Sequence, residues 1–172
     1  VKFTKELLRG DHQVVGRFDS RIIGVDGDDT RENFESDPSF DIVHGVYSAG
    51  LNQFVRADLE YESDLPYEIL SFKVHPKWRY DSFENSYVNT AEMLRAAMQK
   101  NPHLKVLVAN GKYDLATPFF ATEYTFDHLG VRDGLDKNIK HTYFDAGHMM
   151  YMDKKSLQKL SKEIQSFVKA SS

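Results

Sequence analysis

The chain has 172 residues, and 22 Lys and Arg against 26 Asp and Glu give a formal net charge of −4. A hydrophobic content of 41% is typical of a globular protein with a core, and the length corresponds to about one domain. The mild acidity argues against a nucleic-acid partner, and no apolar run approaches the ~18 residues of a membrane span. The absence of cysteine excludes disulfides, thiolate metal sites and a cysteine nucleophile.

The first hundred residues have an irregular pattern, so we expect a mainly helical and loop-rich region over 1–100. Within it, residues 40–46 fit either a short strand or the beginning of a helix. Residues 51–61 carry apolar side chains at helical spacing, as do residues 89–100. The segment 62–84, with two prolines, predicts a loop.

The pattern sharpens over residues 101–172. Residues 105–109 contain a short continuous apolar run after Lys105, which is typical of a strand buried on both faces of a parallel sheet. A helix is predicted over 118–129, a second strand over 141–145 and an amphipathic helix over 157–168. This order of strand, helix, strand and helix predicts an α/β fold.

Two polar residues follow the two predicted strands. Asp114 comes five residues after the first strand, and His148 comes three residues after the second. Because the carboxyl ends of neighbouring parallel strands meet at one edge of the sheet, we expect these side chains to lie within hydrogen-bonding distance. An Asp that accepts the Nδ1–H of a His fixes the tautomer of the ring, as in Ser-His-Asp hydrolases. Taken singly, each residue is as well explained as a turn Asp or a packed His.

The sequence contains no convincing nucleophile for this pair. A nucleophile elbow needs Gly-x-Ser-x-Gly, and the nearest match is Ser48, where Val46 stands in place of the first glycine. We therefore interpret Ser48 as a structural loop residue. Two strands are also too few for a complete parallel sheet. We expect the chain to be the C-terminal part of a larger enzyme, with the nucleophile upstream of Val1.

No metal or cofactor is predicted. The acidic segment 26–32 predicts a solvated loop. It is not expected to bind calcium, because Arg31 occupies the position where a calcium-binding EF-hand needs glycine. The remaining histidines show no spacing typical of metal ligands. These are His12, His44, His75, His103, His128 and His141.

Residues 106–114 and 146–149 resemble the Asp and His blocks of the serine carboxypeptidases, peptidase family S10. Residues 15–21 and 61–70 are also similar to bacterial members of that family, and the lack of cysteine favours a bacterial-type relative. The resemblance implies the C-terminal part of an α/β-hydrolase, comprising the last core strands and helices of its parallel sheet.

By this resemblance, residues 1–100 correspond to a cap or insertion region with a lead-in helix, and residues 101–172 to the C-terminal part of the hydrolase core. Asp114 and His148 would be catalytic, in an enzyme that hydrolyses C-terminal residues from peptides by acyl transfer. The implied partners are a peptide substrate and the missing N-terminal part of the enzyme. The family's compartments suggest an exported parent protein.

Two alternatives remain open from the sequence. Another α/β-hydrolase, an esterase or an aminopeptidase, would share the same Asp–His pair. A non-catalytic binding or assembly module is the other alternative, since the chain lacks a recognisable nucleophile. In either case we expect an exposed sheet edge that favours homo-oligomers.

Overall fold

The structure is a computed structural model that describes residues 2–28, 30–65, 67–69, 71 and 73–171. Its helices and strands form a mixed α/β architecture. Over residues 1–100 they are α1 (Lys2–Glu6), β1 (Gln13–Val15), β2 (Ile23–Val25), α2 (Pro38–Gln53) and α3 (Ala91–Lys100). Over residues 101–172 they are β3 (Val106–Gly111), α4 (Phe119–Asp127), β4 (Ile139–Phe144) and α5 (Lys154–Ser171).

Strands β3 and β4 pair in parallel, in a register that runs from Val106 opposite Ile139 to Gly111 opposite Phe144. This confirms the predicted parallel pair, with boundaries shifted by one or two residues. Asn110, which lies just beyond the predicted strand 105–109, still pairs with Tyr143 in the sheet. Pairing with a neighbour, rather than the length of the apolar run, determines where such a strand ends.

Helices α4 and α5 pack on opposite faces of this two-stranded sheet. On one face, Phe126 of α4 contacts His141 of β4 with a ring-centre distance of 5.0 Å. On the other face, Leu160 of α5 packs against the buried Phe144. The apolar stripe predicted for α5 exists, but its members Leu157, Ile164 and Val168 remain about half exposed.

Residues 40–46, for which the sequence allowed either a strand or the beginning of a helix, belong to helix α2. Asp37 caps the helix, because its carboxylate accepts the backbone N–H of Ser39 at 3.0 Å, and Pro38 occupies the first turn. The helix continues into a π-helical turn over Phe54–Asp58. The predicted helix at 51–61 is thus the end of a longer one.

A short antiparallel hairpin formed by β1 and β2 was not predicted. Three residues per strand are too few to show a period of two, although Val14 and Val15 are buried. The hairpin brings its connecting turn, residues 16–22, to the carboxyl ends of β3 and β4.

The prediction that residues 26–32 form a solvated loop is wrong for the first of them, Asp26. Asp26 is buried and forms an ion pair with the fully buried Lys5 of α1, at 2.5 Å. The hydrogen bond from Lys5 lowers the pKa of Asp26, although burial acts to raise it. A carboxylate can be buried here because α1 supplies the opposite charge.

The described residues of 62–84 contain two 3-10 turns, His75–Lys77 and Asp81–Phe83, and no α-helix or strand, which confirms the predicted loop. Pro66, Leu70 and Phe72 of that segment lie outside the described residues, as does Asp29 of the acidic segment. No described helix combines the length and the hydropathy needed to cross a membrane.

Candidate active site

Asp114 and His148 meet at the carboxyl edge of the parallel pair, as the sequence predicted. Nδ1 of His148 lies 2.7 Å from Oδ2 of Asp114. Their loops approach closely, since a Cβ at Gly111 would lie 2.2 Å from the carbonyl oxygen of Gly147. Glycine at 111 therefore allows the loop after β3 to pass directly beside the loop after β4.

Asp114 is held by a set of hydrogen bonds that leaves its carboxylate little freedom. Oδ1 accepts the backbone N–H groups of Ala116 and Thr117 at 2.7 and 2.9 Å. Oδ2 accepts the hydroxyl of Thr117 at 2.7 Å, in addition to its contact with His148. Only 5% of Asp114 is exposed.

These bonds decide the charge of Asp114. Burial acts to raise the pKa of this carboxyl, but the hydrogen bonds from Thr117 and His148 outweigh burial and hold the pKa below its ordinary value. Hydrogen bonds to the ionised form favour that form. Asp114 is therefore a carboxylate at neutral pH.

The imidazole of His148 is oriented at one nitrogen and accessible at the other. Its side chain is 40% exposed. Nδ1 faces Asp114, and the hydroxyl of Thr117 lies 3.3 Å from it. Within the described part of the chain, Nε2 has no hydrogen-bond partner. A carboxylate at Nδ1 selects the tautomer in which Nε2 carries a lone pair, so the ring presents a base outward.

The turn 16–22 is a third element of the site, and sequence reasoning did not place it there. The backbone N–H of His148 donates to the carbonyl oxygen of Phe18 at 2.6 Å. The N–H of Leu115 donates to Arg17, and the N–H of Ser20 donates to Tyr113, both at 2.9 Å. The turn thus joins the Asp loop to the His loop.

Arg21 at the end of this turn strengthens the junction. Its guanidinium donates to the carbonyl oxygen of Asp145 at 3.1 Å and lies 4.6 Å from the ring centre of Tyr113. It also pairs with Asp19 at 2.7 Å. Burial acts to raise the pKa of Asp19, but the hydrogen bonds from Arg21 outweigh it and lower that pKa. The only sequence signal for this element was the family resemblance of residues 15–21.

Ser48 lies inside α2, so the prediction that it belongs to a loop is wrong. A structural role, rather than that of a nucleophile, fits a position within a helix. The carbonyl oxygen of Ser48 accepts the side-chain amide of Asn52, one helical turn later, at 2.7 Å. A nucleophile elbow needs a sharp turn between a strand and a helix, and the middle of a regular helix does not provide one. Among the described residues, the hydroxyl nearest to the pair is Thr117, on the Nδ1 side.

The described residues contain no group of three or more His, Asp and Glu side chains arranged to hold a metal ion.

The site offers a buried carboxylate, an oriented imidazole and an outward-facing basic nitrogen. This set of groups can accept a proton from a hydroxyl or water and return it to a leaving group.

Comparison with known proteins identifies no relative of this chain. No family model matches the chain, and no curated protein or solved structure matches it. The function is therefore inferred from the geometry of Asp114 and His148, together with the resemblance of the segments that carry them.

Proposed function

We propose that this chain supplies the Asp and His of a Ser-His-Asp hydrolase and is the C-terminal part of an α/β-hydrolase. The observation that carries the proposal is the 2.7 Å contact between His148 Nδ1 and a buried, ionised Asp114. The outward-facing Nε2 completes the arrangement that such enzymes use. The substrate class we propose is a peptide with a free C-terminus, cleaved by a serine carboxypeptidase of the S10 type.

In this mechanism His148 moves one proton in two directions. Nε2 accepts the proton of the serine hydroxyl as its oxygen attacks the scissile carbonyl carbon. The resulting imidazolium donates that proton to the departing amine, and the acyl-enzyme forms. Water repeats the cycle: it loses a proton to Nε2, attacks the ester carbonyl and releases the acid, while the serine oxygen regains the proton. Asp114 stays ionised and stabilises the imidazolium in both halves.

The open sides of the sheet support the view that further chain completes the fold. Among the described residues, β3 pairs with a strand on one edge alone. Phe120 of α4 is 71% exposed, and the apolar stripe of α5 is half exposed. Exposed apolar surface of this kind is typical of an interface. We propose that the missing N-terminal part of the enzyme covers it and brings the serine to Nε2.

The same open surface favours a second candidate function, in which the chain acts as a non-catalytic assembly module. The edge strand β3 has the sequence Val-Leu-Val-Ala-Asn-Gly, with no charged residue or proline to discourage pairing. A second copy could then occupy the position of the missing strands. This candidate differs from the first in needing no reaction at His148.

A substrate comparison tests the proposed activity. The chain would be produced with the natural sequence that precedes Val1 and assayed on a peptide with a free C-terminus, the same peptide amidated, and a simple ester. We expect release of the C-terminal residue from the free peptide alone, and loss of release in H148A. Ester cleavage without peptide cleavage would instead support an esterase, and cleavage from the N-terminus an aminopeptidase. No hydrolysis of any substrate would overturn the proposal.

A further inference from the structure

The imidazole of His148 has a second close neighbour besides Asp114. The aromatic ring of Phe18 lies against it, with 5.2 Å between the ring centres and an angle of 52° between the planes. The carbonyl oxygen of Phe18 also accepts the backbone N–H of His148 at 2.6 Å. One residue therefore contacts both the main chain and the side chain of His148.

Residue 147 makes this approach possible. A Cβ at Gly147 would lie 2.2 Å from the carbonyl oxygen of Phe18 and 2.6 Å from the Cβ of Asp19. No larger residue fits there without moving backbone. The turn 16–22 and the loop that carries His148 are thus in direct contact at the residue before the imidazole.

Phe18 is itself anchored to a separate element, the beginning of α2. Its backbone N–H donates to the hydroxyl of Ser39 at 2.9 Å. The preceding N–H, of Arg17, donates to the carboxylate of Asp37 at 3.2 Å. The ring of Phe18 lies 6.2 Å from that of Phe40. The ring that contacts the imidazole therefore belongs to a framework with well-defined hydrogen bonds.

We infer that Phe18 is a positioning residue for His148, whose ring keeps Nδ1 facing Asp114 and Nε2 facing outward. An imidazole bonded through one nitrogen can still rotate about its Cβ–Cγ bond when that bond breaks. A neighbouring ring, 5.2 Å away and tilted by 52°, occupies space through which the imidazole would turn, so it restricts this rotation and the access of water to the Nδ1–H bond. Aromatic pairs add a modest stabilisation beyond buried area. The benefit to catalysis rests on the proposed function, whereas the orientation of the ring does not.

The test uses the 172-residue chain with 15N-labelled histidine rings and measures how fast the Nδ1 proton of His148 exchanges with water. We expect F18L to speed this exchange about fivefold, because the contact energy of an aromatic pair corresponds to a factor of that order. F18Y keeps the ring and should match the unaltered protein. The exchange rate reports on the imidazole, and a residue that only supports the fold would leave it unchanged in a folded variant.

A control contact exists on the face of the sheet that α4 covers. The ring of Phe126 lies 5.0 Å from that of His141, at a comparable distance but edge-on, with 89° between the planes. We expect F126L to alter the signals of His141 and leave those of His148 unchanged, and F18L to do the reverse. A folded F18L with unchanged proton exchange at His148 would overturn the inference.

A measurement on the unaltered chain covers the case in which F18L does not fold. Nuclear Overhauser effects between the ring protons of Phe18 and the carbon-bound protons of His148 must be present, and their absence would overturn the inference. The proposed function fails separately. If these signals behave as expected while the N-terminally extended protein hydrolyses none of the substrates, positioning stands and the hydrolase proposal does not.

Discussion

Two irregular regions of this chain differ in how they are held. The loops around Asp114 and His148 are irregular in backbone, yet hydrogen bonds join them to each other and to the turn 16–22. Residues 73–90 are also irregular, but large side chains there point into solvent, and Tyr87 is 96% exposed. Contacts with other segments hold the loops at the site, whereas residues 73–90 are exposed at every position except the half-buried Phe83.

The largest effect should come from Asp114. In the N-terminally extended protein, D114N should lower kcat by about 10⁴-fold, because the amide favours the wrong tautomer of His148. Turnover of a peptide with a free C-terminus measures this effect, and a thermal melt checks that the fold is kept. The matched change in the other region, Y87F, should leave turnover unchanged. Equal activity of D114N and the unaltered enzyme would contradict the role of Asp114.

The next effect is a difference in stability between substitutions at two glycines, one crowded by neighbouring atoms and one with open space around it. G147A places a Cβ against the backbone at Phe18, so it should lower the free energy of unfolding by about 1–3 kcal/mol. G45A lies in α2 with no atom within 4 Å of the new Cβ, and it should raise that free energy by about 0.5–1 kcal/mol. Urea unfolding of both variants measures the contrast. A neutral G147A would mean that the contact between the turn and the His loop is not tight.

A smaller effect concerns self-association. The chain should form dimers or larger species at micromolar concentration through its uncovered apolar surface. F120E removes an apolar ring from the exposed face of α4 and puts a charge there. It should weaken association at least tenfold, since losing the burial of one such side chain costs roughly 1.5–3 kcal/mol. Light scattering over a dilution series measures both proteins. A strictly monomeric chain would count against the open surface as an interface.

The smallest effect is the dependence of stability on pH. The pKa of Asp114 lies below its ordinary value of 3.8, so its carboxylate stabilises the fold above that pH. The stabilisation is lost as the pH falls through the lower pKa of the folded state. The unaltered protein should therefore exceed D114N in stability at pH 6 and lose that advantage progressively as the pH falls below 3.8. Urea midpoints across this range measure it, and a constant difference would contradict the sign of the shift.

The sequence predicted the pair Asp114 and His148 because two local patterns and one rule of sheet geometry were sufficient. The apolar run at 105–109 marks the first strand, residues 141–145 are predicted as the second, and parallel strands end at the same edge. The strand boundaries and the choice between helix and strand at 40–46 needed the observed pairing and capping. For these elements, tertiary contacts decide among conformations that the local pattern leaves nearly equivalent.

The rest of the site could not be read from the chain. Phe18 meets His148 across 130 positions, and no periodicity links residues so far apart. Thr117 supports Asp114 from three residues away, but a threonine in a loop carries no distinguishing signal. The acidic segment around Asp26 favours a position in solvent, and a local pattern does not show its buried partner Lys5, 21 residues earlier.

Labelling with a fluorophosphonate probe, which reacts with activated serines, tests the central claim most directly. The 172-residue chain should not react, because none of its described serines contacts Nε2 of His148. The same chain extended with its natural upstream sequence should become labelled at a serine before Val1, and H148A should abolish that labelling. Labelling of the 172-residue chain itself, or an extended protein that stays unlabelled, would contradict the assignment of Asp114 and His148 to a serine hydrolase.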